Sequence, residues 1–173
     1  KILMDELTNA PYPSRLPDEN IADILAAIAA NQTGIRELNN LVEFYSWPVV
    51  NAYMKHIRDV AAEKTRNMIK KFKQKEYYFS DSLDDGSLIS LKISFDNNII
   101  MDFSGSAGVN KNSLNANRAI VQSSVLYCLR CLVNEDLPLN SGVLEVVKLI
   151  LPEGMLNPPT FAESEKCSAV FAG

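Results

Sequence analysis

A carboxylate, several hydroxyls and carboxamides and a guanidinium fall together between Asp102 and Arg118. The stretch opens Asp102-Phe103-Ser104-Gly105-Ser106 and closes Asn115-Ala116-Asn117-Arg118. Asp102 ends an apolar run and can act as a base or as an acceptor for neighbouring amides. Ser104, Ser106, Asn110, Asn112, Ser113, Asn115 and Asn117 offer donors and acceptors able to orient a polar substrate such as a cyclic imide or amide. Gly105 and Gly108 allow the backbone to approach a ligand closely. Arg118, and Arg130 further along, can pair with Asp102 or with a substrate carboxylate. The same residues have plainer uses. Asp and Ser at a strand end satisfy turn amides, and Asn115 or Asn117 can cap the helix that follows.

The elements that must position this loop are legible from periodicity. Residues 1–16 read as irregular, broken by Asn9, Pro11 and Pro13. Pro17 suits a first helical position, with Asp18 and Glu19 facing the positive end of the helix dipole. Ile21, Ile24, Leu25, Ile28, Ile35, Leu38, Leu41 and Val42 recur at helical steps, which predicts a long amphipathic helix to about Tyr45. Gly34 inside it costs about 1 kcal/mol relative to Ala, so a close backbone contact is expected there. Trp47-Pro48 punctuates, and a second helix carries Val50, Tyr53, Met54, Ile57, Val60, Ala61, Met68, Ile69 and Phe72 on one face. The short link predicts an antiparallel hairpin. Lys64, Arg66, Lys70, Lys71, Lys73 and Lys75 at its end complement the negative end of the dipole, or offer an anion site.

From Tyr77 the period changes. Residues 76–83, 88–95 and 99–103 read as strands, turning at Asp84-Asp85-Gly86 and Asp96-Asn97-Asn98, with Ile89, Leu91, Ile93 and Phe95 on one face. A helix at about 117–133, a strand at about 143–151 and a last strand at 169–171 follow. The expected class is α+β: a long helical hairpin, an antiparallel β-meander, a further helix and additional strands. The change of period divides the chain into 1–75, linker and hairpin, and 76–173, part of a larger α+β domain.

The net charge of −4 leaves no basic footprint for nucleic acid. No apolar run approaches the roughly 20 residues needed to cross a bilayer. Nothing resembles an export signal at the start, and a cytoplasmic setting is expected. Cys128 and Cys131 form a C-x-x-C pair deep in the predicted helix, with Cys167 the third cysteine. That position suits neither a zinc site nor a redox motif, and buried, reduced, structural thiols are expected. His56 stands alone, so neither a metal nor a Ser-His-Asp site is built around it.

The loop and its flanks resemble the hydantoinase B/oxoprolinase family. That family carries a DFSGT block followed by NAP, here Asp102–Ser106 and Asn115-Ala116-Asn117. A SAV-YALRCL helix and a D-PLN-G loop come next, here Ser123–Leu132 and Asp136–Gly142. Pro17–Ile24, Ile28–Gly34, Pro152-Glu153-Gly154 and Leu156–Pro159 match further motifs of the family. Two departures are Asn117, where the family has a proline that stiffens the helix start, and Ser106 in place of threonine. The resemblance implies a central to C-terminal fragment of a B-type subunit, as in N-methylhydantoinase B, or of the matching half of a longer chain. Such enzymes are ATP-dependent hydrolases of 5-oxoproline, hydantoins and other cyclic amides. ATP is held by an A-type partner subunit with an actin-like fold, and activates the amide oxygen by phosphorylation. The isolated piece is expected to be inactive, and the whole enzyme to be an oligomer. No cofactor or metal is expected in this chain; a divalent metal in the full-length protein would belong to motifs upstream of Lys1. Asp102 is the candidate catalytic residue, with Ser104, Ser106, Asn115, Asn117, Arg118 and Arg130 as candidate substrate contacts. Acetone and acetophenone carboxylases share the architecture, so a carboxylase-type subunit is the alternative. A non-catalytic scaffold for subunit assembly is the third reading.

Overall fold

The change of period at Tyr77 is a change of architecture. The computed structural model describes residues 2–9, 13–112, 114–133, 135–137 and 140–159. It comprises two units, Lys1–Tyr53 and Met54–Gly173, whose division falls inside one continuous helix.

The first unit is helical. α1 (Ile2–Asn9) occupies part of the segment expected to be irregular. Leu3, Met4, Glu6 and Leu7 are good helix formers, and the breaking prolines come after its end. α2 runs Pro17–Tyr45, with Pro17 in its first turn and Asp18 and Glu19 beside it as expected. It ends at Ser46, whose positive φ of 71° turns the chain while its N–H donates to the Val42 carbonyl at 2.9 Å. α3 (Trp47–Ile69) begins at once, and Pro48 in its first turn forfeits no helical hydrogen bond.

The second unit holds the sheet. β1 (Glu76–Ser82), β2 (Leu88–Phe95) and β3 (Ile99–Asp102) form the expected antiparallel meander. Gly86, at φ 83°, makes the first turn, where its N–H donates to the Leu83 carbonyl at 2.8 Å. β4 (Val147–Ile150) then lies parallel to β3, so the sheet is mixed, in the order β1-β2-β3-β4. The connection between these parallel strands carries α4 (Arg118–Val133), as a parallel pair requires.

Two local expectations fail here. Residues 143–145, expected to begin a strand, belong instead to the short helix α5 (Gly142–Glu145). A short apolar run reads equally well as either. Its start is set by close packing: a side chain on Gly142 would come within 2.1 Å of the Arg58 carbonyl oxygen of α3. Asn140 Oδ1 accepts the Gly142 N–H at 2.8 Å. The cysteines are the second failure. Cys128 and Cys131 are free, as expected, but exposed. The buried stripe of α4 is Val121, Val125, Leu129 and Val133, and both thiols fall off it. The strand expected at 169–171 lies outside the described residues.

The core joins that stripe to Ala61, Met68 and Ile69 of α3 and to Ile99 and Met101 of β3. Leu91, Ile93 and Phe95 cover it from β2, and Phe72 stacks on Phe95 with centroids 4.8 Å apart. The intervening residues Ser90, Lys92 and Ser94 occupy the other face of the sheet, as strand alternation demands. Asp102 shares that polar face, because its register partner is Lys92.

Candidate functional site

Asp102 is the last residue of β3, and a series of backbone bonds fixes where the loop goes from there. Phe103 N–H donates to the Ile150 carbonyl at 3.0 Å, and Ser106 N–H turns back to the Phe103 carbonyl at 2.9 Å. Ser106 then clasps β2: its hydroxyl accepts the Ser90 N–H and donates to the Ser90 carbonyl, both at 3.1 Å. Ala107 bridges two segments, donating to Leu88 at 2.8 Å and accepting from Met155 at 3.1 Å. A side chain on Gly105 would meet Ser90 Oγ at 2.7 Å, and one on Gly154 would meet the Ala107 carbonyl at 2.8 Å. Gly105 is therefore demanded by close approach of the loop to the sheet, and Gly154 by close approach of the segment after β4 to the loop.

The second half of the loop is built around Asn115, which is 1% exposed. Its Oδ1 accepts the Asn110 N–H at 2.9 Å, and its Nδ2 donates to the Asn110 and Asn112 carbonyls at 3.0 and 3.1 Å. Asn112 Nδ2 reaches Asp85 Oδ2 at 2.9 Å, tying the loop to the β1–β2 turn. Asn117 Oδ1 accepts the Ile120 N–H at 3.0 Å and caps α4, one of the plain uses open to it.

Asp102 is held ionised by its neighbours. The Ser104 hydroxyl and then the Ser104 N–H, which donates to Oδ1 at 2.9 Å, keep its carboxyl below the ordinary 3.8; Lys92 adds a smaller pull. Lys92 in turn pairs with Glu76 Oε1 at 2.9 Å and lies 5.3 Å from the centre of the Tyr78 ring. Hydrogen bonding first to Glu76 and then to Tyr78 raises the Lys92 ammonium above its usual range. The row Tyr78–Lys92–Asp102 thus crosses three strands.

Beside Asp102 lies a cleft of about 110 Å³. Ser104, Ser106 and Ala107 line it from the loop, Pro152, Glu153 and Gly154 from the segment after β4, with apolar Phe103, Leu151 and Leu156. Of the sequence-predicted residues, this brings together Ser104 and Ser106, with Asp102 bonded to Ser104. Asn115 and Asn117 belong to the loop's internal bracing and the helix cap. The Arg118 side chain, at the start of α4, has no hydrogen bond or ion pair among the described residues. Arg130 lies about 18 Å further along that helix, by its rise per residue. Its Nη2 reaches the Leu137 carbonyl at 3.5 Å. The cation beside Asp102 is Lys92, not an arginine. Lys92 and Glu153 were missed as site residues. Alternation alone puts Lys92 on the polar face of β2, but only the strand register sets it opposite Asp102.

No group of three or more His, Cys, Asp or Glu able to hold a metal occurs among the described residues. Nor is any described helix long and apolar enough to cross a membrane.

Comparison with known proteins matches the hydantoinase B/oxoprolinase family profile to residues 2–171. The protein 5-oxoprolinase 1 of Arabidopsis thaliana is 36% identical over 183 aligned residues, covering 96% of this chain and 14% of its own length. The 5-oxoprolinase of Saccharomyces cerevisiae is 38% identical over 153, covering 84% of this chain and 12% of its own length. That of Dictyostelium discoideum is 36% identical over 158, covering 86% and 12%. This chain therefore spans only a small part of the length of each of these relatives.

Proposed function

Because this chain belongs to the hydantoinase B/oxoprolinase family, we propose that it forms part of an ATP-dependent enzyme that opens a cyclic amide, with 5-oxoproline as its substrate. The observation that carries this reading is the likeness to proteins named 5-oxoprolinase, at 36% and 38% identity across 96% and 84% of the chain. ATP, held by an A-type partner subunit or half, would supply the activation that an unstrained lactam needs. A cytoplasmic setting is supported by the free, exposed thiols of Cys128 and Cys131.

The residues of this chain suit a positioning task. A carboxylate held below its ordinary pKa is a weak base near neutrality and a strong hydrogen-bond acceptor. Asp102 is therefore assigned to accept a substrate N–H, with Ser104 beside it and Arg118 available for a substrate carboxylate. Ser106, Asn115 and Asn117 shape the loop that presents them. The test is product release by the full-length protein with its A-type partner, offered 5-oxoproline, N-methylhydantoin and acetone, with and without ATP and bicarbonate. ATP-dependent opening of 5-oxoproline without bicarbonate is expected. Turnover of acetone alone, dependent on bicarbonate, would overturn the reading.

A further inference from the structure

Lys92 stands between two carboxylates. Its register partners are Tyr78 on β1 and Asp102 on β3, and Glu76 lies two residues before Tyr78 on the same face of β1. Side chains directly opposite on antiparallel strands start about 4.5–5.5 Å apart, so a lysine stem can swing to either neighbour. A lysine in register with an aspartate ordinarily pairs with it across the strands. Here it does not. Lys92 makes no ion pair with Asp102 among the described residues, and its Nζ lies instead 2.9 Å from Glu76 Oε1, on the other side of β2. Glu76 is itself held in place, because its Oε2 accepts the Tyr78 hydroxyl at 2.9 Å. The Tyr78 ring, 5.3 Å from the ammonium, completes the cradle. Lys148 of β4 shares this face of the sheet but pairs with Ile100, so Lys92 is the cation in direct register with Asp102. What the cradle leaves open is the Asp102 carboxylate. It has room for about four hydrogen bonds, and Ser104 is its only hydrogen-bond partner among the described residues.

We propose that Glu76 is a positioning residue: by holding Lys92 toward β1 it keeps the ammonium off Asp102 and leaves that carboxylate open to the substrate N–H. The inference rests on the assignment of Asp102 as the substrate acceptor. An unrestrained Lys92 would be a competitor, because a charge-assisted bond from an ammonium is stronger than one from a neutral amide N–H. Exposure sets the size of the effect. The Lys92 and Glu76 side chains are 38% and 47% exposed, and ion pairs in water exchange partners at little cost, so competition shifts apparent affinity about three- to fivefold. The rate at saturation is untouched, since bound substrate displaces the lysine.

The experiment uses Glu76→Gln in the full-length protein. Glutamine keeps the size of the side chain and can still accept from Tyr78, but it loses the charge that holds Lys92. The first readout needs no substrate. In a structure of the variant the Lys92 ammonium should lie about 3 Å from the Asp102 carboxylate. An ammonium that stays over the Tyr78 ring would overturn the proposal. With 5-oxoproline, ATP and the partner present, KM should rise about three- to fivefold at unchanged kcat, and Lys92→Met added to Glu76→Gln should restore it. A KM that stays raised in the double variant contradicts the proposal, because Glu76 would then act on the strands and not through Lys92. So does a KM that Glu76→Gln leaves unmoved while Asp102→Asn is impaired. Full turnover by Asp102→Asn would instead sink the assignment of Asp102, and the position of Lys92 in the Glu76→Gln structure would then decide this proposal by itself.

Discussion

Helices α2 and α4 are both rich in isoleucine, leucine and valine, yet one hides its stripe and the other displays it. In α4, Val121, Val125, Leu129 and Val133 are all buried against β3 and its neighbours in the core. In α2 no residue is fully buried: Ile21, Leu38 and Val42 are half-buried, and Ile24, Leu25, Ile28, Ile35 and Leu41 are exposed. The spacing tells them apart. The buried positions of α4 fall in steps of four, whereas the apolar positions of α2 recur in steps of three and four along a wider stripe. Apolar content alone says only that a helix needs a partner.

The largest effect that separates the two is truncation. Leu129→Ala should cost about 2–5 kcal/mol of local stability, read by hydrogen exchange at α4 amides in the full-length protein. Ile35→Ala should leave those amides unchanged. Equal loss of protection at α4 from both substitutions would erase the distinction between a covered and an uncovered face. Next is the loop that α4 anchors. Asn115→Ala removes three hydrogen bonds that brace the loop, and should cost about 1–3 kcal/mol, with the 107–116 amides losing protection first. Removal of the cap by Asn117→Ala should cost about 1 kcal/mol, confined to the first turn of α4.

The smallest effect is electrostatic. The Asp102 carboxyl titrates below 3.8 in the folded protein, so its stabilisation is complete above about pH 5 and is lost as pH falls through the folded value. Ser104→Ala should move its midpoint up toward 3.8, as followed by carboxyl-carbon NMR during acid titration. An unmoved midpoint would remove Ser104 as the main cause.

The long periodic elements were the legible part of this fold. α2, α3, the three meander strands and α4 announce themselves because each repeats a local period, and all but α3 are followed within four residues by Pro, Gly or Asn. α1 and α5 did not, since eight and four residues hold too little period to outweigh nearby breakers. The exposure of Cys128 and Cys131 was hidden for a different reason: a Leu- and Val-rich helix does not state which of its faces a distant sheet will cover. At the site, motif and composition found the loop but not the duties within it. Asn115 as a ligand and Asn115 as a buried brace look identical in sequence. The Lys92–Asp102 neighbourhood exists only through β2–β3 register.

The most direct measurement is ATP-dependent opening of 5-oxoproline by the full-length protein with its partner, comparing Asp102→Asn with Asn117→Ala. If Asp102 positions the substrate, its replacement lowers turnover by about 100-fold while the cap variant stays near wild type. Full turnover by Asp102→Asn, with the loop still folded, would contradict the placement of the site at the end of β3.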